Sequence, residues 1–165
     1  MKVFIVLLTL LISAQSLGHS APPRPEPMGL DGLMKAFSWD IDSAEITSQK
    51  IDDHLYVLFG LGGNIGVSLG DDGVFIVDDQ FPALMPKIRQ TIAGLGGKGV
   101  DFAVNTHWHF DHAEGNLALG PEGTWIVAHE NSREMMKQDQ VINLVALAYE
   151  QKSYPESAWP DITFD

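Results

Sequence analysis

The sequence has no cysteine. Disulfide staples, thiolate metal sites, iron-sulfur clusters, a cysteine nucleophile and lipid attachment to a cysteine are all excluded. Any metal must therefore be held by imidazole and carboxylate. Positive charge is scarce too: ten Lys and Arg stand against 22 Asp and Glu, for a net charge of −12, and the cations are nowhere clustered. Nucleic-acid binding relies on basic side chains that neutralise phosphates, so this balance argues against such a partner. It also argues against anionic lipid surfaces. No internal repeat is visible. What is present suits a single folded domain: 45% hydrophobic residues over 165 positions, enough to bury one core.

The one long apolar run opens the chain. Lys2, the stretch from Val3 to Ile12 and the small residues after it have the basic, apolar and cleavable parts of a secretory signal, here residues 1–20. The run is short for a membrane span. The expectation is a periplasmic or secreted protein with no membrane attachment after signal removal. Residues 21–43 begin with four prolines in ten positions and read as an extended, poorly packed leader. The folded domain is then expected over 44–165.

Within it, Glu45–Lys50 and His54–Phe59 read as strands hinged at Asp52-Asp53. Asn64–Leu69 and Val74–Val77 are joined by Gly70-Asp71-Asp72-Gly73, a strong hairpin signal. Pro82 marks a helix start, and Leu84, Ile88, Ile92 and Leu95 recur at helical spacing until the glycines from Gly94 onward. Those glycines formally fit a nucleotide-binding pattern, but they follow a helix and precede a strand, the reverse of a phosphate loop. Strands at 101–105 and 124–128 and helices at 113–119 and 131–138, the last capped by Asn131 or Ser132, complete a mixed α/β pattern.

Chemistry concentrates in Asn105-Thr106-His107-Trp108-His109-Phe110-Asp111-His112-Ala113-Glu114-Gly115-Asn116, which holds three of the six histidines within six positions. On an extended segment, residues two apart share a side, so His107, His109 and Asp111 are expected to converge while Trp108 and Phe110 turn inward. The chain then enters a helix, and His112 swings to an adjoining position. Imidazole and carboxylate are good zinc ligands. Four donors this close, with diverging neighbours, suit two zinc ions: His107 and His109 on one, Asp111 and His112 on the other. Water between two such ions ionises near neutrality. Asp111 is the candidate catalytic residue, orienting that oxygen and carrying a proton to the leaving group. His54 and His129, each alone in a strand-like setting, are expected to be structural, and His19 falls in the signal.

The run Thr106-His107-Trp108-His109-Phe110-Asp111-His112 resembles the signature of the metallo-β-lactamase superfamily, and the likeness extends over most of residues 45–138. The resemblance implies an αββα sandwich with a two-metal site at its edge. It also implies hydrolysis of an ester, thioester or amide bond, a β-lactam among them, in a small-molecule substrate. Asp78, at the end of the Ile76-Val77-Asp78 strand, matches a residue that braces the metal loop. Iron or manganese in place of zinc, and redox chemistry with iron, are the alternatives on this scaffold.

Relatives supply a third histidine, a bridging aspartate and a final histidine from a second half of the sandwich. No counterparts can be placed here, and no histidine follows His129. Pro160–Asp165 reads as a strand that has just begun. The expectation is the first half of such a sandwich, a fragment with little activity of its own, and with one sheet face uncovered. A half-domain that only binds metal or a complementary polypeptide is the non-catalytic alternative.

Overall fold

The computed structural model describes residues 24–165. The signal assigned to 1–20 and the first residues of the leader lie outside the described residues. In chain order the elements are β1 (Pro27–Met28), α1 (Leu30–Phe37), β2 (Thr47–Lys50), β3 (Leu55–Phe59), β4 (Ile65–Gly70), β5 (Gly73–Val77) and α2 (Met85–Gly94). They continue with β6 (Phe102–Asn105), α3 (Phe110–Ala113), α4 (Asn116–Leu119), β7 (Trp125–His129), α5 (Glu130–Met136), β8 (Gln140–Asn143), β9 (Ala148–Gln151) and β10 (Ile162–Phe164). The mixed α/β class matches the expectation. Among the described residues no helix is long and apolar enough to cross a membrane.

A seven-stranded sheet in the order β10-β7-β6-β5-β4-β3-β2 forms the frame. Strands β2 to β5 run as an antiparallel meander, and β6, β7 and β10 add in parallel. The β4–β5 turn falls at the expected Asp71-Asp72, with Gly70 paired to Gly73. Gly73 takes φ +130, and Asp101 accepts the Val74 N–H at 2.7 Å beside it, where a Cβ at position 73 would collide. Alternation sets the two faces. Val67, Ile76 and Ala103 point inward and, with Leu33 of α1 and Leu84, Ile88 and Ile92 at and along α2, make one core. Phe75, Phe102 and Trp125 point the other way.

Two expectations are corrected. The leader does not stay extended: α1 occupies 30–37, Leu33 is fully buried, and β1 pairs in parallel with β9. The domain thus begins well before residue 44, because Leu30, Leu33 and Met34 form a helical stripe packed on the core. The helix expected at 113–119 is two short turns instead. Gly115 separates them, packed so closely on Asp79 that a Cβ there would overlap its carbonyl oxygen. A hairpin of β8 and β9, not foreseen, joins β1 in a separate three-stranded sheet. Helix α5 runs from Glu130 to Met136, capped not by Asn131 or Ser132 but by His129, whose Nδ1 accepts the Asn131 N–H at 3.0 Å.

Candidate active site

The site forms at the carboxyl ends of β5 and β6. Strand β5 ends in a tight bend: Asp78 and Gln80 take left-handed φ of 62° and 56°, a conformation that side chains occupy only when held there. The bend is held by α3, since the Asp79 N–H donates to the His112 carbonyl (2.9 Å) and the Gly115 N–H to that of Gln80 (2.8 Å). The Gln80 amide also donates to the Gly63 carbonyl, in the β3–β4 loop.

The extended geometry expected from Asn105 through Asp111 stops short, because α3 begins at Phe110. Asp111 is therefore on the first turn of α3, where its carboxylate charge still acts on His107 and His109. Helical return also brings up His112, its ring centroid 4.3 Å from that of His107, which lies 4.7 Å from His109. Asp111 Oδ2 lies 3.5 Å from His112 Nε2. Phe110 is buried and Trp108 half-buried, as the alternation required. His54 Nδ1 lies 3.1 Å from the Leu69 carbonyl. Among the described residues, no three His, Asp or Glu side chains already form a metal cage.

Asp78 organises this cluster. One carboxylate oxygen accepts the Thr106 N–H at 2.7 Å; the other accepts the Thr106 hydroxyl at 2.9 Å and lies 2.7 Å from His112 Nδ1. A carboxylate only accepts, so His112 donates from Nδ1, and in the neutral ring the lone pair is at Nε2. Thr106 spends its single proton on Asp78, so at 3.0 Å its oxygen takes a proton from His107 Nδ1, again leaving Nε2 bare. His112 is raised above the usual imidazole range by the bond to Asp78. Burial, and then the neighbouring His112, lower His107; burial, and then His107, lower His109. Both lean to the neutral form.

The floor of the site is polar and buried. Asp79, Asn105 and Asn116 are fully buried in a row: Asn105 Nδ2 donates to Asp79 Oδ2 (3.1 Å), and Asn116 Nδ2 to Asn105 Oδ1 (2.8 Å). Burial holds the Asp79 carboxyl well above its ordinary range. Glu114, also buried, accepts the Tyr149 hydroxyl at 2.8 Å, and burial raises its pKa to about 7. Sequence reasoning gave these residues no role. The one available sign was that Glu114 and Asn116 directly follow the histidine run. The roof is glycine: a Cβ at Gly63 would stand 2.5 Å from His112 Cε1, and one at Gly62, where φ is +78, 2.7 Å from Asp111 Cβ.

Residues 58–164 match the family described as the metallo-beta-lactamase superfamily. The chain belongs to the metallo-β-lactamase superfamily. Its fold recurs in solved structures of that superfamily. The metallo-β-lactamase FIM-1 from Pseudomonas aeruginosa, in its mono-zinc form, shares 21% identity at a TM-score of 0.50 over 55% of this chain and 45% of its own. MEM-A1, a subclass B3 metallo-β-lactamase isolated from a soil metagenome library, shares 22% at 0.52 over 61% and 39%. A B3 metallo-β-lactamase with an active-site glutamic acid shares 20% at 0.55 over 73% and 45%. This metallo-β-lactamase-fold chain thus spans less than half the length of these structures. No curated protein matches it.

Proposed function

We propose that the chain carries the zinc-binding half of an exported metal-dependent hydrolase, periplasmic or secreted, in which His107, His109, Asp111 and His112 hold the metal and Asp78 orients them. The donor chemistry fits: three imidazoles and a carboxylate, without thiolate, suit zinc. The observation that carries the reading is the hydrogen-bond relay from His107 through Thr106 to Asp78 and from His112 to Asp78. It occupies Nδ1 of His107 and of His112 and leaves their Nε2 atoms for a metal, as a hydrogen-bonded partner does for ligating histidines. The low proton affinity of His107 and His109 supports it further, because only a neutral ring can ligate.

When bound, zinc supplies Lewis acidity, polarising a carbonyl and moving the ionisation of water from about 15.7 to near 7. The rest falls to the chain. Asp111, a quarter exposed beside His112, accepts a proton at Oδ2 and returns it to the leaving group of an ester, thioester or amide, β-lactams among them. Asp78 fixes the ring planes, and the glycines at 62 and 63 keep the approach to Asp111 and His112 free of side-chain bulk. Small-molecule substrates of this kind need no basic recognition surface, in keeping with the net charge of −12.

The test is metal content. After zinc loading and desalting, the chain retains zinc stoichiometrically, and His107→Ala with His109→Ala abolishes retention. Unchanged zinc in the double variant would sink the reading. Hydrolysis of a chromogenic β-lactam, an aryl ester and a thioester by the zinc-loaded chain then separates the substrate classes.

A further inference from the structure

Between β6 and α3 the chain from Thr106 to His109 belongs to no strand or helix, so other groups must hold it. The rings of His107 and His112 are tied through Nδ1 to Thr106 and Asp78. His109 has no such tie. Among the described residues its ring forms no hydrogen bond, and its place follows from its main chain and from the rings of His107 and Trp108 beside it. Downstream that main chain is anchored, since the His109 carbonyl accepts the His112 and Ala113 N–H groups at 3.0 Å each. Upstream, Gln151 Nε2 donates to the Trp108 carbonyl at 2.9 Å.

Gln151 arrives from a different part of the fold. It ends β9, the central strand of the small sheet between β1 and β8. Alternation puts Tyr149 on the same face and turns Glu150 out to solvent. Tyr149 stands edge-on to Phe110, ring centroids 4.6 Å apart, and donates to Glu114, so β9 meets the histidine segment at 108, 110 and 114. Glutamine is a poor choice for packing here. The residue is 1% exposed, its Oε1 finds no partner among the described residues, and its second Nε2 contact, to the Tyr154 hydroxyl, is long at 3.4 Å. A half-satisfied buried amide contributes less to folding than an apolar side chain of the same size. What it supplies, and an apolar residue would not, is a donor to the Trp108 carbonyl.

The structure assigns to Gln151 the positioning of His109: its amide fixes the plane of the Trp108–His109 peptide, and so the direction in which the His109 ring leaves the chain beside His107. The inference rests on the reading of His107 and His109 as zinc ligands. It gives the β1-β9-β8 sheet a use at the site.

Gln151→Met keeps the length of the side chain and removes the donor. In competition with a chelator it should bind zinc about tenfold more weakly than the parent, the lower end of what a ligand's lost support costs, because the grip is on the main chain. In the metal-free chain the same change should shift the His109 imidazole resonances and leave those of His112, held by Asp78, in place. Ile142→Val loosens the same hairpin from a buried position opposite Tyr149 without touching the amide, and should bind zinc as tightly as the parent. The parent supplies a further measurement: if Gln151 supports zinc binding, zinc in turn slows solvent exchange of the Gln151 side-chain amide, because linked equilibria are reciprocal. Parent-like affinity with unmoved His109 resonances in Gln151→Met overturns the inference, and so does an exchange rate indifferent to zinc. A loss that Ile142→Val reproduces, or that displaces the His109 and His112 resonances alike, overturns it as well. A parent that retains no zinc overturns the hydrolase reading and this inference together, whereas the other adverse results overturn this one alone.

Discussion

Glu114 offers the sharpest test of the energetics inside the site. Its carboxyl is 6% exposed and faces only the Tyr149 hydroxyl, while burial, aided by the nearby Asp111 charge, raises its pKa from 4.5 to about 7. At ~1.4 kcal/mol for each tenfold change in proton affinity, the displacement corresponds to about 3 kcal/mol. Below pH 4.5 the group is protonated in both folded and unfolded chains and costs nothing. As pH rises toward 7 the unfolded chain ionises first, so folding loses stability across that window, and above it the loss is complete. Glu114→Gln keeps an oxygen to accept the Tyr149 hydroxyl and removes the ionisation. Urea unfolding of both proteins in the presence of a chelator should show a stability difference near zero at pH 4.5, growing to about 3 kcal/mol in favour of the variant by pH 8. In a domain of this size that corresponds to roughly 6–12 °C in Tm. A difference that does not change with pH, or a variant less stable than the parent at pH 8, refutes the reasoning.

Asp78→Asn keeps the left-handed backbone, which asparagine tolerates, but replaces a carboxylate that serves three donors. The expected result is about 2 kcal/mol less stability and zinc affinity lower by 10–100-fold, read by unfolding and by metal titration. Gly63→Ala should displace the His112 ring, seen as a shift of its imidazole resonances and weaker zinc retention, with unchanged far-UV dichroism. Leu33→Ala tests whether the first helix belongs to the domain: a loss of about 2–5 kcal/mol is expected from a fully buried leucine, and none if the segment is only a tether.

The parts of the fold that were legible in the sequence are those with strictly local signals. Alternation over 47–77 marks the meander, Gly70–Gly73 marks its turn, and Leu84, Ile88 and Ile92 mark the helix that covers it. The strand at Ile162–Phe164 was foreseen as a strand beginning at Pro160. Helix α1 went unread because Pro22, Pro23, Pro25 and Pro27 dominate the window just before its apolar stripe. Strands β1, β8 and β9 went unread because their pairing is long-range and their sequences, such as Ala148-Tyr-Glu-Gln, carry no alternation of their own. At the site, the residue types and their proximity were visible, but not their mutual arrangement. Helix formation at Phe110 replaced a two-residue repeat by a helical one and brought the His112 ring beside that of His107. The Asp79-Asn105-Asn116 row left no local trace, since burial of a polar side chain is decided by whatever packs above it.

Pairing of Pro27 with Ala148 has a consequence for biosynthesis. At 5–20 residues per second, the ribosome needs on the order of ten seconds after releasing the first helix to deliver the strand that β1 joins. The meander and the parallel strands β6 and β7 are complete earlier. Nascent molecules therefore pass through a stage in which six strands of the central sheet are available while the amino-terminal strand hangs unpaired, and a holding chaperone would find its target there.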